Sequence, residues 1–383
     1  MTSIEQNAVQ GSCGDEFASL RTAFDEQLAA GEELGASIAV VQGGELVVDL
    51  WGGHVDEART APWQRDTIVN VFSITKTMTA LSALLLVDRG QIDLDAPVAT
   101  YWPEFGRNGK EHITPRQLLS HTSGVSGWEK PIELEDIYDG PAAAARLAAQ
   151  EPWWEPGTAS GYYVLNYGHL IGELIRRVDG RSLGTFFAEE IAGPLDADFH
   201  IGTPASEFGR IAPLVPPPAL DIDWSLMGED SILVKSVTSP ILDYARTSDT
   251  AWRQAEIGAA NGHGNARSIA RIQSIVAGGG RRDGRQWLSN RTIDEIFAVQ
   301  SDGVDLAILT PLKFGTGYGL PHADTVPMLP DRRICWWAGI GGSFVVNDLD
   351  RDLTFAYAMN RMAPGLIGSD RATAYLAATF GER

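Results

Sequence analysis

The chain has 383 residues, of which 44% are apolar and 21% charged, the composition of a large globular protein. Its 30 basic and 50 acidic residues give a formal net charge of −20, which disfavours nucleic acid and anionic membranes as partners. No apolar run reaches transmembrane length, and the N-terminus lacks the basic and apolar regions of a secretory signal, so the sequence predicts a cytoplasmic protein.

The N-terminal part of the chain predicts a helix, a β-hairpin and a second helix. Apolar residues at helical spacing indicate the first helix over about 14–31. The segments 37–42 and 45–51 are rich in β-branched and apolar residues, and the two glycines between them match the length of a tight hairpin turn. A strongly apolar run over 73–89 indicates a buried helix.

The middle of the chain is mostly helical, and strands return near the C-terminus. A helical pattern with long loops extends from about 113 to 275, while Pro213 and Pro216–Pro218 mark an irregular crossing segment. The three glycines at 278–280 end the last helix of this part. The other predicted elements are helices over 116–119, 165–178 and 265–277, strands over 334–337, 343–347 and 353–359, and a final helix over about 368–380.

This order of elements predicts an α/β fold of the α+β type with two domains. Strands at both ends of the chain surround a long helical insert, which indicates a discontinuous domain. We expect residues 1–72 and 280–383 to form an α/β domain with a central antiparallel sheet, and residues 73–279 to form a mostly helical domain. An active site would then lie in the cleft between the two domains.

The most informative motif is Ser73-Ile74-Thr75-Lys76, at the start of the predicted buried helix. Residues three apart on a helix share one face, with their Cβ atoms about 5–6 Å apart, so the lysine amine can take the proton of the serine hydroxyl. If burial keeps the lysine uncharged, the pair forms a nucleophile with its base. The same spacing also occurs by chance in solvated helix starts, so the interpretation depends on the motifs that follow.

Four further motifs follow in a fixed order. They are L-L-S-H-T-S-G at 118–124, P-G-T at 156–158 with tyrosines after it, L-I-G-E-L-I at 170–175 and W-A-G-I-G-G-S at 337–343. Together with S-x-x-K, this set resembles the serine β-lactamase and penicillin-binding protein superfamily, from about residue 35 to the C-terminus. It looks most like the class C-related branch called family VIII carboxylesterases. The resemblance implies a β-lactamase/transpeptidase-like fold, with an antiparallel sheet flanked by helices and a mostly helical second domain.

The resemblance also implies roles for individual residues. Ser73 resembles the acylated nucleophile and Lys76 its base partner. The tyrosine of the family falls six residues after the proline of P-G-T, at Tyr162, with Tyr163 as the second candidate. A phenol suits this position because it can relay a proton or act as a phenolate. The alternative is a core tyrosine whose hydroxyl is satisfied by hydrogen bonds.

The sequence departs from the family pattern beside this tyrosine. The family usually has Tyr-x-Asn, but Val164 stands where the asparagine is expected, and Asn166 lies two residues later. Asn166 could substitute only if the turn differs. An amide that would orient the acyl side chain or support the lysine is therefore expected to be missing, which counts against good β-lactam turnover.

A second departure lies in the last motif. Where β-lactamases and penicillin-binding proteins carry Lys-Thr-Gly, this chain has Trp337-Ala338-Gly339, as the family VIII esterases do. An indole offers apolar surface and cannot bind a carboxylate as an ammonium does, so Trp337 and Gly339 are expected to bind substrate; a plain core tryptophan is the alternative. The resemblance further implies an oxyanion hole made by the backbone N–H groups of Ser73 and Ile340.

Several other signals carry less weight. The chain has no G-x-S-x-G motif, its seven histidines show no metal-binding spacing, and the glycines at 278–280 lack the lysine of a phosphate loop. For His121 we favour a residue that caps or braces a loop over a triad base. Cys13 and Cys335 could form one bridge but are too few for a disulfide framework. Tryptophans expected in the core or the cleft wall are those at 128, 153, 154, 224, 252 and 287.

The sequence therefore predicts a serine carboxylesterase that hydrolyses esters of small or medium, mostly apolar acyl groups, without a metal or organic cofactor. The expected partner is a small-molecule ester, and the oligomeric state stays open, a homo-oligomer included. One alternative is a β-lactamase, a D-amino-acid amidase or peptidase, or a transacylase of the same superfamily. Another is a catalytically silent binding domain, which the joint presence of Ser73, Lys76 and Tyr162 disfavours.

Overall fold

A nine-stranded antiparallel sheet is the largest element of the computed structural model, which describes residues 9–217, 227–228 and 230–381. The strands of these ranges are β1 (Gln10–Cys13), β2 (Gly35–Gln42), β3 (Glu45–Gly53), β4 (Ile68–Asn70), β5 (Phe199–His200), β6 (Ile211–Ala212), β7 (His263–Gly264), β8 (Arg281–Arg282), β9 (Arg285–Gln286), β10 (Ser301–Val304), β11 (Pro311–Phe314), β12 (Gly319–Leu320), β13 (Ile334–Ala338), β14 (Phe344–Asp348) and β15 (Leu353–Met359). The helices are α1 (Ala18–Ala30), α2 (Thr75–Asp88), α3 (Pro115–Leu119), α4 (Gly140–Ala149), α5 (Tyr167–Asp179), α6 (Leu183–Phe187), α7 (Ile232–Val237), α8 (Thr250–Gln254), α9 (Ala266–Ala277), α10 (Asn290–Phe297) and α11 (Asp370–Phe380).

The large sheet joins the two ends of the chain. Its strand order is β1-β3-β2-β15-β14-β13-β12-β11-β10, and the N-terminal and C-terminal strands meet in the antiparallel pair β2 and β15, in which Ala36 lies opposite Met359. The hairpin between β2 and β3 turns at Gly43 and Gly44, which have φ angles of 57° and 89°. Positive φ at both central residues is what a two-residue hairpin with a type I′ turn requires. The predicted antiparallel sheet and its hairpin are therefore confirmed.

The centre of the sheet is covered on both faces. The residues of β15 are buried along the whole strand, and those of β2 are buried except for Gln42 at its end. Helix α9 packs against β2, β14 and β15, and α1 packs against α11 and β3. The apolar residues at helical spacing in α1, which are Phe17 just before the helix and Leu20, Phe24 and Leu28 within it, are all buried. These contacts give the mixed helix and sheet architecture that the sequence predicts.

Helix α2 is the buried helix predicted from the apolar run. All of its residues from Thr75 to Leu86 are buried, and it packs against α5, α6, α9 and α10. Ser73 lies just before it, in a single 3-10 turn over Phe72–Ile74. The first residue of the S-x-x-K motif is thus placed at the junction between the short strand β4 and the most buried helix of the described chain.

The packing of helix α9 bears on where the predicted helical domain ends. Helix α9 falls within the predicted helical domain, 73–279, yet it packs against the large sheet. We therefore propose that the second boundary lies ahead of α9, near residue 265, rather than at 279. Pro218 of the predicted crossing segment lies outside the described residues; Pro213 and Pro216 lie in an irregular stretch, as expected, with one bridge from Val215 to Arg361.

The edges of the sheet are what the sequence pattern does not predict. Strands β1 and β10 form the two edges, and most of their residues are exposed. An exposed edge strand has no buried face, so it lacks the alternation of apolar and polar residues by which strands are identified.

Cys13 and Cys335 are both free thiols. Within the described ranges, no helix has the length and apolar character needed to cross a membrane.

Two glycines of α5 offer a matched test of its packing. A Cβ at Gly168 would lie 2.4 Å from the backbone nitrogen of Gly258, whereas a Cβ at Gly172 would lie 3.4 Å from the side chain of Leu183. We expect Gly168→Ala to lower the free energy of unfolding by about 1–3 kcal/mol, because it places a methyl group against backbone. Gly172→Ala should leave it unchanged or raise it by up to about 1 kcal/mol, because alanine favours a helix.

Denaturant titration followed by circular dichroism measures both effects. Equal changes in the two variants would contradict the close approach of α5 to Gly258. Gly258 directly precedes Ala259, whose backbone carbonyl accepts a hydrogen bond from Lys76. The packing of α5 against Gly258 therefore also helps to position this carbonyl.

Candidate active site

The site is built around the tight turn that carries Ser73. The turn connects β4 to α2, and its residue Phe72 has a φ angle of +43°, in the left-handed region that a phenylalanine rarely adopts. The surroundings hold this strained residue in place: the Val71 N–H donates to the Gly262 carbonyl at 2.9 Å, and the Thr75 hydroxyl donates to the Phe72 carbonyl. Strain of this kind is typical of functional sites, where the neighbouring structure over-determines the conformation.

Lys76 lies one helical turn after Ser73 and points at three oxygen atoms. Its Nζ is 3.1 Å from Ser73 Oγ, 3.0 Å from the Val164 carbonyl and 3.0 Å from the Ala259 carbonyl. Burial lowers the pKa of Lys76 well below its ordinary value, because desolvation disfavours the ammonium form. An uncharged amine has two N–H groups for the two carbonyls, which leaves its lone pair facing the hydroxyl of Ser73.

The structure separates the two candidate tyrosines. The Tyr162 ring lies 4.5 Å from Lys76 Nζ, its hydroxyl accepts the indole N–H of Trp337 at 3.2 Å, and the Ser73 side chain is near enough to influence the pKa of Tyr162. The Tyr163 hydroxyl is instead 2.6 Å from Ser123 Oγ and accepts the Ser123 N–H at 2.8 Å. Tyr162 therefore faces the serine and lysine, while Tyr163 is satisfied elsewhere in the core.

Tyr162 is held as a neutral phenol. Burial raises the pKa of Tyr162 above its ordinary value, and this effect exceeds the opposing hydrogen bonds from Ser73 and Trp337. A phenolate here would need neighbouring cations, but burial disfavours the ammonium form of Lys76 and position 337 holds an indole. The tyrosine thus has a proton to give at the pH where the lysine is free to accept one.

The end of β13 lies against the turn of the nucleophile. A Cβ at Gly339 would lie 2.3 Å from the Val71 carbonyl oxygen, so only glycine allows this approach. Ile340 follows directly and is partly exposed, and among the described residues no backbone acceptor takes its N–H. The glycine is needed for packing within the chain, and this packing places the Ile340 N–H beside the turn that contains Ser73.

Val164 stands where an asparagine is expected two residues after Tyr162, and its backbone carbonyl makes the contact with Lys76 in place of a side-chain amide. The Val164 carbonyl accepts a hydrogen bond from Lys76, whereas the Asn166 amide donates to the Val125 carbonyl at 2.7 Å. The Asn166 side-chain oxygen is buried, and none of the described residues forms a hydrogen bond with it. Asn166 therefore does not support the lysine in place of the missing amide.

His121 braces the tyrosine segment. Its Nδ1 accepts the Tyr163 N–H at 3.1 Å and its carbonyl accepts the Gly161 N–H at 3.0 Å. Burial, with a smaller contribution from Lys76, holds the pKa of His121 well below its ordinary value, so the ring is neutral. These contacts agree with the loop-bracing role favoured from the sequence.

Asp305 is a residue of the site that the sequence does not reveal. It is buried, and its Oδ1 accepts three backbone N–H groups, from Tyr162 at 3.0 Å, Ala307 at 2.9 Å and Ile308 at 3.2 Å. It fixes the backbone of Tyr162 from a position 143 residues away in the chain. The one signal in the sequence is a lone carboxylate in the apolar run V-D-L-A-I-L, since such a group is rarely buried without a reason.

The remaining sequence candidates are the tryptophans expected in the core or the cleft wall. Trp128, Trp252 and Trp287 are buried, Trp153 and Trp154 are partly exposed, and Trp224 lies outside the described residues. Over the ranges that the structure covers, no three His, Cys, Asp or Glu side chains come together in the way that holding a metal ion requires.

Several known proteins are similar to this chain in sequence and in fold. Residues 20–380 match the family model Beta-lactamase. The chain is 34% identical to Esterase/beta-lactamase LipL of Mycobacterium tuberculosis, over 95% of this chain and 86% of that protein. A family VIII carboxylesterase crystal structure is 39% identical, with a TM-score of 0.91 over 97% of this chain and 99% of the other. A penicillin-binding protein homolog from Caulobacter crescentus is 37% identical, with a TM-score of 0.87 and the same coverage.

The lowered pKa of Lys76 predicts how the reactivity of Ser73 depends on pH. Below this pKa the lysine is an ammonium and cannot take the serine proton, so the rate of labelling by a fluorophosphonate should rise with pH through a midpoint well below 10.5. Lys76→Arg keeps a cation that cannot accept a proton and should lower this rate by about 100-fold or more. Ser73→Ala gives the background. Labelling that rises only near the pKa of a free lysine would contradict the buried, uncharged amine.

Proposed function

The chain belongs to the β-lactamase family, and we propose that within it the protein is a serine carboxylesterase that hydrolyses small or medium carboxylic esters through an acyl group on Ser73. The observation that carries this proposal is the 3.1 Å contact of Ser73 Oγ with the buried amine of Lys76, whose pKa is lowered by burial, beside the neutral phenol of Tyr162. Similarity over nearly the whole chain to a family VIII carboxylesterase supports it.

In the acylation step, the Lys76 amine takes the proton of Ser73 as the serine oxygen attacks the ester carbonyl. The N–H groups of Ser73 and Ile340 would hold the negative oxygen of the tetrahedral intermediate. Tyr162 then gives its proton to the leaving alkoxide. The Lys76 ammonium, 4.5 Å from the tyrosine ring, stabilises the phenolate and returns the proton to it, so that the alcohol leaves and the acyl-serine remains.

Deacylation repeats these transfers with water as the nucleophile. The Tyr162 and Lys76 pair takes a proton from the attacking water, and the oxyanion forms between the same two N–H groups. The serine oxygen leaves with that proton, which releases the carboxylic acid and restores the starting site.

The charges of the site favour uncharged substrates. The position that holds a lysine in penicillin-recognising enzymes holds the indole of Trp337, and burial disfavours the ammonium form of Lys76. A substrate carboxylate would therefore be desolvated there without a compensating cation. This supports simple esters over β-lactams, which carry such a carboxylate. We also propose a cytoplasmic location and a small-molecule ester as the partner, in keeping with the net charge of −20.

A substrate panel with intact-mass detection tests the proposed function. We expect p-nitrophenyl acetate and butyrate to be hydrolysed with an acyl adduct on Ser73, and Ser73→Ala to lose both activity and adduct. Ser82→Ala is a matched control, because Ser82 is a buried serine of α2 whose hydroxyl donates to the Met78 carbonyl of its own helix at 2.9 Å. Cephalosporin hydrolysis at a rate rivalling that on esters would favour a β-lactamase. No reaction of Ser73 with any acyl donor or fluorophosphonate would favour a silent binding domain.

The two adjacent tyrosines provide a second test. Tyr162→Phe removes the proton donor that faces Ser73 and should lower kcat by about 100- to 10,000-fold. Tyr163→Phe loses its hydrogen bonds to Ser123 and should leave kcat close to the wild-type value after correction for any loss of folded protein. Steady-state kinetics on p-nitrophenyl butyrate decides between them, and a larger loss in Tyr163→Phe would overturn the assignment.

A further inference from the structure

We propose that Trp337 is a positioning residue whose indole N–H orients the hydroxyl of Tyr162 toward Ser73. The inference rests on the proposed function, because it concerns the proton that Tyr162 gives to the leaving group. It differs from the expectation that Trp337 presents apolar surface to a substrate. The indole is only 5% exposed, so little of its surface is free to bind an acyl group.

The direction of the hydrogen bond fixes where the tyrosine proton points. Trp337 Nε1 lies 3.2 Å from the Tyr162 hydroxyl oxygen, and an indole nitrogen can only donate. The phenol oxygen therefore accepts at this contact, and its own proton must point elsewhere. Lys76 Nζ lies 4.5 Å from the centre of the Tyr162 ring and 3.1 Å from Ser73 Oγ, which brings the serine oxygen to the same side of the tyrosine. The phenol proton is therefore directed at the serine oxygen.

The indole is locked in the position that this contact needs. It stacks on Trp336 with ring centroids 5.4 Å apart at an angle of 23°, and lies 5.4 Å from the ring of Phe314. Its strand is paired on one side with β14, where Val345 lies opposite. On the other side, a Cβ at Gly319 would lie 2.9 Å from the indole ring, so the glycine leaves the space that the ring occupies. The donor is thus fixed before substrate binds.

The indole of Trp337 carries no charge, so its N–H leaves Tyr162 protonated. A lysine ammonium at position 337 would instead favour the phenolate form of Tyr162. The titratable groups around Tyr162 are Lys76 and His121, whose pKa values are both lowered by burial, the buried Asp305, and the phenols of Tyr163 and Tyr167. Burial and the negative charge of Asp305 raise the pKa of Tyr162, and the indole N–H opposes them only in part. Trp337 therefore orients the proton of the tyrosine without removing it.

A buried tryptophan away from the site gives a matched control. Trp337→Phe keeps an aromatic ring but removes the N–H; Trp287→Phe makes the same change in a buried residue whose Nε1 donates to the Arg282 carbonyl at 3.2 Å. On p-nitrophenyl butyrate we expect Trp337→Phe to lower kcat by about 10- to 100-fold with little change in KM, and Trp287→Phe to change kcat little. If Trp337 served instead as an acyl-binding wall, KM and the acyl-length preference would change and kcat would not; this result overturns the proposal.

A double-mutant cycle tests whether Trp337 acts through Tyr162. In a Tyr162→Phe background, Trp337→Phe should cause no further loss of kcat, because there is no phenol left to orient. A further loss as large as the one in the wild-type background overturns the proposal. If Trp337→Phe does not fold, Trp337→His keeps an N–H donor in a smaller ring and should retain more kcat than Tyr162→Phe; a kcat equal to that of Tyr162→Phe counts against it.

The outcome is distinguishable from failure of the proposed function. Acylation of Ser73 by p-nitrophenyl butyrate in the wild-type protein tests the function. A wild-type kcat in Trp337→Phe, with Ser73 still acylated, overturns only the role of Trp337.

Discussion

The burial of the Lys76 amine is the interaction around which this site is organised. An ammonium that loses its water is costly, so burial lowers the pKa of Lys76 and favours the free amine. That environment exists because α2 is buried on all sides and because α5 packs against Gly258, which brings the Ala259 carbonyl to the amine. The apolar composition of α2 is therefore part of the chemistry as well as of the core.

A second constraint comes from the close approach of two segments far apart in sequence. Phe72 takes a left-handed conformation, and Gly339 passes its turn at a distance that no side chain would allow. The large sheet carries Gly339 on β13, while β4 and α2 carry the turn. The hydrogen bonds and packing of both elements hold the strained turn, which fixes Ser73 and the N–H of Ile340 relative to each other before any substrate arrives.

The sequence predicts the elements whose burial leaves a periodic pattern. The hairpin at Gly43-Gly44, the apolar strands β13 to β15 and the helix after Ser73 could all be identified in this way. The helical spacing also predicts that Ser73 and Lys76 share a face, as their contact confirms. Periodicity cannot choose between Tyr162 and Tyr163, which are adjacent on an irregular segment, nor can it bring Asp305 to the Tyr162 backbone, because loop conformation and tertiary packing decide both.

The indole at position 337 links the preference for substrate to the movement of protons. Acid and base can act together at one pH only if their pKa values are driven apart, and here burial lowers the pKa of Lys76 and raises that of Tyr162. An ammonium at position 337 would attract a substrate carboxylate, and it would also pull the phenol toward phenolate. An indole does neither, while its N–H still orients the hydroxyl. The same substitution that disfavours anionic substrates therefore keeps on Tyr162 the proton that an ester's leaving alkoxide requires.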